Sequence, residues 1–235
     1  MHSYIAYYDS NPMNKNDFTS AEYAFFDELI NYHKNFFNKY GENYRNKFNC
    51  NKKIKTSRLI LQPFDDILDK KYCTFFLRNK YEYENYYGHE YSKDEVNSQA
   101  HQKYAQLSFA VLLKQNNEFI GSIALNEMND AKYHLEYYIK PEYRKNGYAF
   151  EAVQEILKRA FNNKLVVLRD TIKYSVYNKK TINAKCIYAR VDTNNLPSIG
   201  LLEKLGFKKD GILKYDREMC GKFFDSCIYT LEKNN

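Results

Sequence analysis

The sequence has no run of about 18 apolar residues, the length a helix needs to cross a hydrocarbon core, so no membrane-spanning helix is expected. Its first residues, Met1 to Asp9, lack a charged stretch followed by an apolar stretch and a small-residue cleavage site. No secretory signal is read there, and the expected location is cytoplasmic. The five cysteines, Cys50, Cys73, Cys186, Cys220 and Cys227, are odd in number, scattered and without a CxxC pair. That pattern argues against a disulfide framework or a zinc site and fits reduced thiols used in packing, so no metal is expected. Internal repeats and low-complexity linkers are also missing.

What is present is aromatic and basic. With 24 Tyr and 16 Phe among 235 residues, rings supply much of the area a core can bury, which argues against disorder despite a negative mean hydropathy. The length suits a domain of about 150 to 200 residues with an added segment. Net charge is +7, and Lys140 to Arg190 alone holds twelve Lys or Arg against four Asp or Glu, more than the whole excess. Such a stretch calls for an anionic partner. A polyphosphate cofactor and a nucleic-acid backbone would both satisfy it, and so would a solvated basic surface.

Residues 1–50 form a compositional unit rich in Asn, Tyr and Phe, in which Phe25, Phe26, Leu29, Ile30, His33, Phe36, Phe37 and Tyr40 recur at helical spacing. An amphipathic helix from Thr19 or Ser20 to Gly41 is expected, packing on the main domain or on a homodimer partner. Residues 51–235 form the main domain, of mixed α and β. Arg58 to Leu61 reads as a short strand, and about 65 to 105 as helical with loops. Ser108 to Leu113 and Phe119 to Asn126 read as a hairpin across Lys-Gln-Asn-Asn-Glu. Leu135 to Ile139 is a strand ending at Pro141, and Phe150, Val153, Leu157, Ala160 and Phe161 mark the apolar face of the helix that follows. Lys164 to Lys180 reads as an insertion that extends this helix, borders a site or joins subunits. Ala184 to Val191 returns to strand. Asn194 or Asn195 can cap a helix with Pro197 in its first turn and Gly206 at its end. Gly221 to Leu231 alternates as a strand, paired with residues near Ile212 to Met219.

The densest chemistry lies between the strand ending at Ile139 and the helix after it. Lys140-Pro141-Glu142-Tyr143 makes a turn, and Arg144-Lys145-Asn146-Gly147-Tyr148-Ala149 opens the helix. The first turn of a helix leaves main-chain N–H groups unpaired and carries about half a positive charge, so a pyrophosphate placed there receives several hydrogen bonds. Gly147 permits close approach, Arg144 and Lys145 add charge, and Ala149 is small.

At this point the sequence resembles the GNAT acetyltransferases. Arg144-x-x-Gly147-x-Ala149 is similar to their Arg/Gln-x-x-Gly-x-Gly/Ala signature, in a strand-Pro-Glu-Tyr-Arg context. About 50 residues later, Asn195-x-x-Ser198 leading into Leu202-Glu203-Lys204-Leu205-Gly206-Phe207 resembles the RimJ/RimL-like branch. The closing Gly221-Lys222-Phe223-Phe224-Asp225 to Tyr229 segment is a third similarity. The resemblance covers about 56 to 235 and implies an α/β (α+β) GNAT fold. That is a mixed, mostly antiparallel, twisted sheet of about six or seven strands with helices on both faces and a splayed strand pair forming the acetyl-CoA cleft.

The resemblance also implies roles. Main-chain groups of Tyr137, Tyr138 and Ile139 would bond the pantetheine arm of acetyl-CoA and its thioester carbonyl. A well-placed donor there is worth roughly 3 kcal/mol in other acyl-transfer enzymes. The stretch Arg144, Lys145, Asn146, Gly147, Tyr148 and Ala149 would hold the phosphates. Ser198 would serve the departing thiolate as general acid, or simply cap its helix, where many relatives carry a tyrosine and this chain has Leu202. Asn195 would contact the cofactor or cap. Arg217 falls where RimL-like enzymes have a proposed glutamate base, and strand alternation would turn Asp216 and Glu218 to the other face. Glu136 is the substitute base, with His134 in the same strand able to act through a water.

The expected activity is direct acetyl transfer to a primary amine, either a protein N-terminus or a small-molecule amine. No cysteine or serine stands in a recognisable nucleophile-plus-base arrangement, so no acyl-enzyme is expected. The alternative is a non-catalytic acyl-CoA-binding or regulatory module that kept the cradle and lost the base. A nucleic-acid partner is the weakest reading, because one cofactor's phosphates account for the basic excess.

Overall fold

The computed structural model describes residues 51–64, 68, 71, 75, 79, 107–129, 131–171, 176–219 and 222–233. The helical extension expected over residues 1–50 lies outside the described residues, as does most of the region from 65 to 105.

Among the described residues the chain forms β1 (Ile54–Lys55), β2 (Leu59–Pro63), β3 (Ser108–Leu113), β4 (Phe119–Asn129) and β5 (Lys132–Ile139). A 3-10 turn, Pro141–Tyr143, leads to α1 (Tyr148–Phe161). Then come β6 (Val166–Thr171), β7 (Val176–Thr181), β8 (Cys186–Asp192), α2 (Leu196–Lys204), β9 (Lys208–Met219) and β10 (Lys222–Glu232). Eight strands make one sheet in the order β1-β2-β3-β4-β5-β8-β10-β9, against the six or seven expected. All its neighbours are antiparallel except β5 and β8. The insertion does not lengthen the helix: β6 and β7 pair with each other as a separate antiparallel ribbon.

Local sequence explains the main elements. β3 is buried at all six positions, as an uninterrupted apolar run in a central strand must be. β8 instead alternates, burying Ile187, Ala189 and Val191 while Tyr188 and Arg190 face the other way. α1 turns Ala152, Val153, Ile156, Leu157 and Ala160 onto the sheet, a stripe at the helical period. Val153 and Ile156 are fully buried, and each such burial stabilises by about 2 kcal/mol. This core also contains Leu59, Phe109, Ile123, Leu135, Ile187 and Leu202. On the opposite face helical residue Phe75 packs its ring 5.7 Å from that of Tyr138.

β4 and β5 approach closely because Gly121 has no side chain: a Cβ there would lie 2.1 Å from the Tyr138 carbonyl oxygen. α2 ends in a Schellman motif, with Phe207 N–H bonded to Leu202 C=O, Gly206 N–H to Glu203 C=O, and Gly206 at φ +89°.

Candidate active site

β5 and β8 are hydrogen-bonded neighbours over three residue pairs only, Lys132 with Cys186, Tyr133 with Ile187 and His134 with Tyr188. Beyond them the strands part. β5 stays paired with β4 through Ile139, and β8 stays paired with β10 through Asp192, so a slot opens between Leu135–Ile139 and Ala189–Asp192. Lys140 N–H donates to Ile120 C=O, which fixes the alternation along β5. Main-chain groups of Glu136 and Tyr138 therefore bond β4, while those of Tyr137 and Ile139 face the slot. The expectation for Tyr138 is corrected: its main chain belongs to the sheet. Of the slot-facing groups, Ile139 C=O accepts a hydrogen bond from Arg144 Nε at 2.9 Å.

At the end of the slot the chain makes its tight turn. Amide donors at Lys140, Tyr143 and Arg144 are used within the protein. Those from Lys145 to Phe150 meet no acceptor among the described residues. Two positions with left-handed backbone, Lys145 at φ 62° and Gly147 at φ 78°, aim this run of N–H groups outward from the start of α1. Arg144 is tied back toward the strand, its guanidinium 5.5 Å from the centre of the Tyr138 ring. Lys145 and Asn146 are exposed, and Asn146 Nδ2 donates to the carbonyls of Tyr143 and Arg144, bracing the turn.

A clamp that sequence reading missed holds this turn to the sheet. Glu151, in the first turn of α1, accepts hydrogen bonds from Thr56 Oγ1 at 2.6 Å and from Arg58 N and Nε, both at 2.7 Å. Arg58 Nη1 donates to Asn146 C=O at 2.9 Å, and its Nη2 lies 3.4 Å from where a Cβ on Gly147 would be. Burial alone would raise the Glu151 pKa, but the hydrogen bonds from Thr56 and Arg58 outweigh it and hold the carboxyl below its ordinary value. An acidic residue in a helix's first turn was the available signal. Its partner 93 residues away was not.

The other end of the slot is built from α2. Asn195 is the N-cap, its side chain accepting from Ser198 N–H at 3.2 Å. Ser198 therefore does not cap its helix. Its Oγ lies 2.5 Å from the hydroxyl of Tyr137, which projects from β5 on the core face. Burial pushes the Tyr137 phenol up to about 12, against a smaller opposing effect of the Ser198 bond. Leu202 is fully buried, so this position of α2 serves packing.

Glu136 and His134 occupy the face opposite Tyr137, since successive side chains alternate. His134 stacks on the Tyr188 ring at 4.8 Å, and its Nδ1 lies 3.4 Å from Glu136 Oε1. Ser198 and Glu136 thus flank the slot from opposite faces of the sheet. On the β8 side Arg217 Nη2 donates to Asp192 Oδ2 at 3.1 Å, while Asp192 Oδ1 accepts from Asn194 N–H at 2.7 Å. Arg217 is a strut for the turn that carries Asn195 and Ser198.

The expectation that Asp216 faces away is corrected as well. Between the pairs Phe224–Arg217 and Ser226–Leu213, three residues of β9 oppose Asp225 alone. Tyr215 takes φ 53° there, and Asp225 fills the bulge by accepting from Tyr215 N–H and Lys214 Nζ. Inside the bulge alternation lapses, and Asp216 reaches Arg190 on β8 at 3.3 Å.

Residues 58–208 match the acetyltransferase (GNAT) domain family, well over half of the chain. The chain belongs to the GNAT acetyltransferase domain family. A relative in Bacillus licheniformis, an uncharacterised N-acetyltransferase named p20, is 26% identical over 127 residues, covering 53% of this chain and 61% of that protein. The chain thus spans about three-fifths of the length of that relative. Among solved structures, the ribosomal-protein-S5-alanine acetyltransferase from Vibrio fischeri is similar at TM-score 0.59 and 17% identity, over 78% of this chain and 97% of that one. The spermidine N-acetyltransferase from Vibrio cholerae, solved with CoA and spermine, is similar at TM-score 0.58 and 21% identity, over 76% and 97%. These likenesses bear on the GNAT fold. Among the described residues no helix is long and apolar enough to cross a membrane, and no group of three or more His, Cys, Asp or Glu is placed to hold a metal.

Proposed function

We propose that this GNAT domain binds acetyl-CoA along the slot and transfers its acetyl group directly to a primary amine. The carrying observation is a single continuous segment in which the slot-facing N–H groups of Tyr137 and Ile139, beyond the last β5–β8 pair, lead into six unpartnered amides, Lys145 to Phe150. That sequence of donors fits a ligand with an amide-bearing arm ending in a diphosphate. Acetyl-CoA supplies an acetyl group already activated as a thioester.

The residues divide the work. The amides Lys145, Asn146, Gly147, Tyr148 and Ala149, with the positive end of α1 behind them, hold phosphate oxygens, and Gly147 keeps the approach clear. Slot-facing N–H groups of Tyr137 and Ile139 hold the arm and polarise the carbonyl at its end. Ser198 presents its hydroxyl to the sulfur, and Asn195 positions Ser198 by capping α2. Glu136, on the opposite face, takes the proton that the amine must lose. An α-amine with a pKa near 8 is about 10% free at pH 7, whereas a lysine-like amine near 10.4 is less than about 0.1% free, so a small-molecule alkylamine asks more of that base.

One observation favours a second reading. Arg217 is committed to Asp192 and provides no base, which suits a binding module that has lost turnover. Native mass spectrometry of the full chain with acetyl-CoA, followed by thiol release with a panel of N-terminal peptides and polyamines, separates the two. A bound mass and amine-dependent release are expected. Binding without release for every amine supports the module, and no bound mass overturns both.

A further inference from the structure

A serine hydroxyl turns freely about its Cβ–Oγ bond, so a serine that must donate in one direction needs a neighbour to fix its hydrogen. In the first turn of a helix the competing choice is donation back to a nearby carbonyl, which leaves nothing to give a ligand. Asn195 fixes the backbone of Ser198 and leaves that rotation open. The phenol of Tyr137, 61 residues earlier and partly buried against the core, lies 2.5 Å from Oγ and 3.5 Å from the Ser198 carbonyl, so the much nearer Oγ is its stronger acceptor.

We propose that Tyr137 is a positioning residue: its phenol donates to Ser198 Oγ and so turns the serine's own hydrogen into the slot, toward the sulfur that leaves as the acetyl group is transferred. The inference rests on the function proposed above. A phenol that stays protonated up to about 12 remains a donor throughout the neutral range. Serine's oxygen, once it has accepted that hydrogen, is left with its own O–H as the outward donor, and the two bonds in series polarise each other. The C–S electron pair stays on sulfur when that bond breaks. A thiol has an ordinary pKa of about 8.5, so the thiolate needs a strong hydrogen bond rather than a full proton from a much weaker acid, and it is later protonated by solvent. The proton lost by the amine leaves on the other face, at Glu136.

The test needs no knowledge of the acceptor. Coenzyme A with its free thiol is bound to the full chain, and the thiol is titrated by thiolate absorbance, with the acetyl-CoA complex as the blank for the protein's own cysteines. Wild type is expected to hold the bound thiol below its free pKa. Tyr137→Phe raises it by about half a unit to one unit, as the loss of one polarising hydrogen bond implies. Ser198→Ala raises it at least as far, and the double variant no further than Ser198→Ala alone.

A Tyr137→Phe complex that titrates like wild type while Ser198→Ala shifts overturns the inference, as does strict additivity of the two changes. Should Tyr137→Phe fail to fold, 3-fluorotyrosine at position 137, a stronger donor of nearly the same shape, is expected to lower the thiol pKa further, and no change overturns the inference. Failure of the wild-type chain to bind coenzyme A overturns the proposed function and this inference together. Binding with all variants titrating alike overturns this inference and leaves the binding reading standing.

Discussion

The two ends of the slot are assembled in opposite ways. At the α1 end, the proposed phosphate end, the open donors are main-chain amides from consecutive residues, Lys145 to Phe150, and side chains serve to brace the turn through Arg58, Asn146 and Glu151. At the α2 end side chains meet from distant parts of the chain, with Tyr137, Asp192, Asn195, Ser198 and Arg217 joined by hydrogen bonds. A site made of backbone is sensitive to conformation and indifferent to most side chains. One made of distant side chains depends on every strand that carries them.

Gly147→Glu should separate the ends most clearly. It puts a β-carbon at φ 78°, a carboxylate among the open amides and a side chain against Arg58. Acetyl-CoA affinity by calorimetry should fall about 100-fold, or about 2.7 kcal/mol, with circular dichroism unchanged. Affinity within threefold of wild type would mean that the amides hold nothing.

Arg217→Met probes the other end. It leaves Asp192 with one partner fewer at a half-buried position and loosens the β8–α2 turn, so the unfolding free energy should drop by about 2 kcal/mol in denaturant melts. Acetyl-CoA affinity should change by less than about threefold, because no phosphate contact is touched. A loss as large as that of Gly147→Glu would break the separation between the two ends.

Glu151→Gln should give the smallest effect, about 1 kcal/mol of stability at pH 7 from weakened bonds to Thr56 and Arg58. The sign with pH follows from its lowered pKa. The wild-type advantage is full above the ordinary value of 4.5 and fades as pH falls through the folded pKa, so the two melting curves should converge in acid. Parallel curves would show that the charge on Glu151 contributes nothing to the clamp.

The contrast also accounts for what the sequence disclosed. The turn into α1 was legible because its signals are local: Pro141 in the turn, Gly147 at a left-handed position, and the apolar stripe of α1 follow one another along the chain. α2 was legible for the same reason, with Asn195, Pro197 and Gly206 at its boundaries. The Tyr137–Ser198 contact joins residues 61 apart, and the Arg217–Asp192 contact residues 25 apart, across strands whose order no local pattern encodes. Alternation misled at Asp216, because it fails inside a bulge, and the resemblance misled at Tyr138, whose main chain bonds β4. The strut that Arg217 makes with Asp192 became visible only in the folded chain.

Among the described residues, three paired positions and the bond from Lys185 N–H to Ala131 C=O beside them tie the β1–β5 half of the main sheet edgewise to the β8–β10–β9 half. Mechanically this is a seam, zipped at one end and open at the other. Whatever occupies the opening stitches the halves with the rungs the chain itself leaves out, so occupancy should stiffen the whole sheet and raise its melting temperature as ligand concentration climbs.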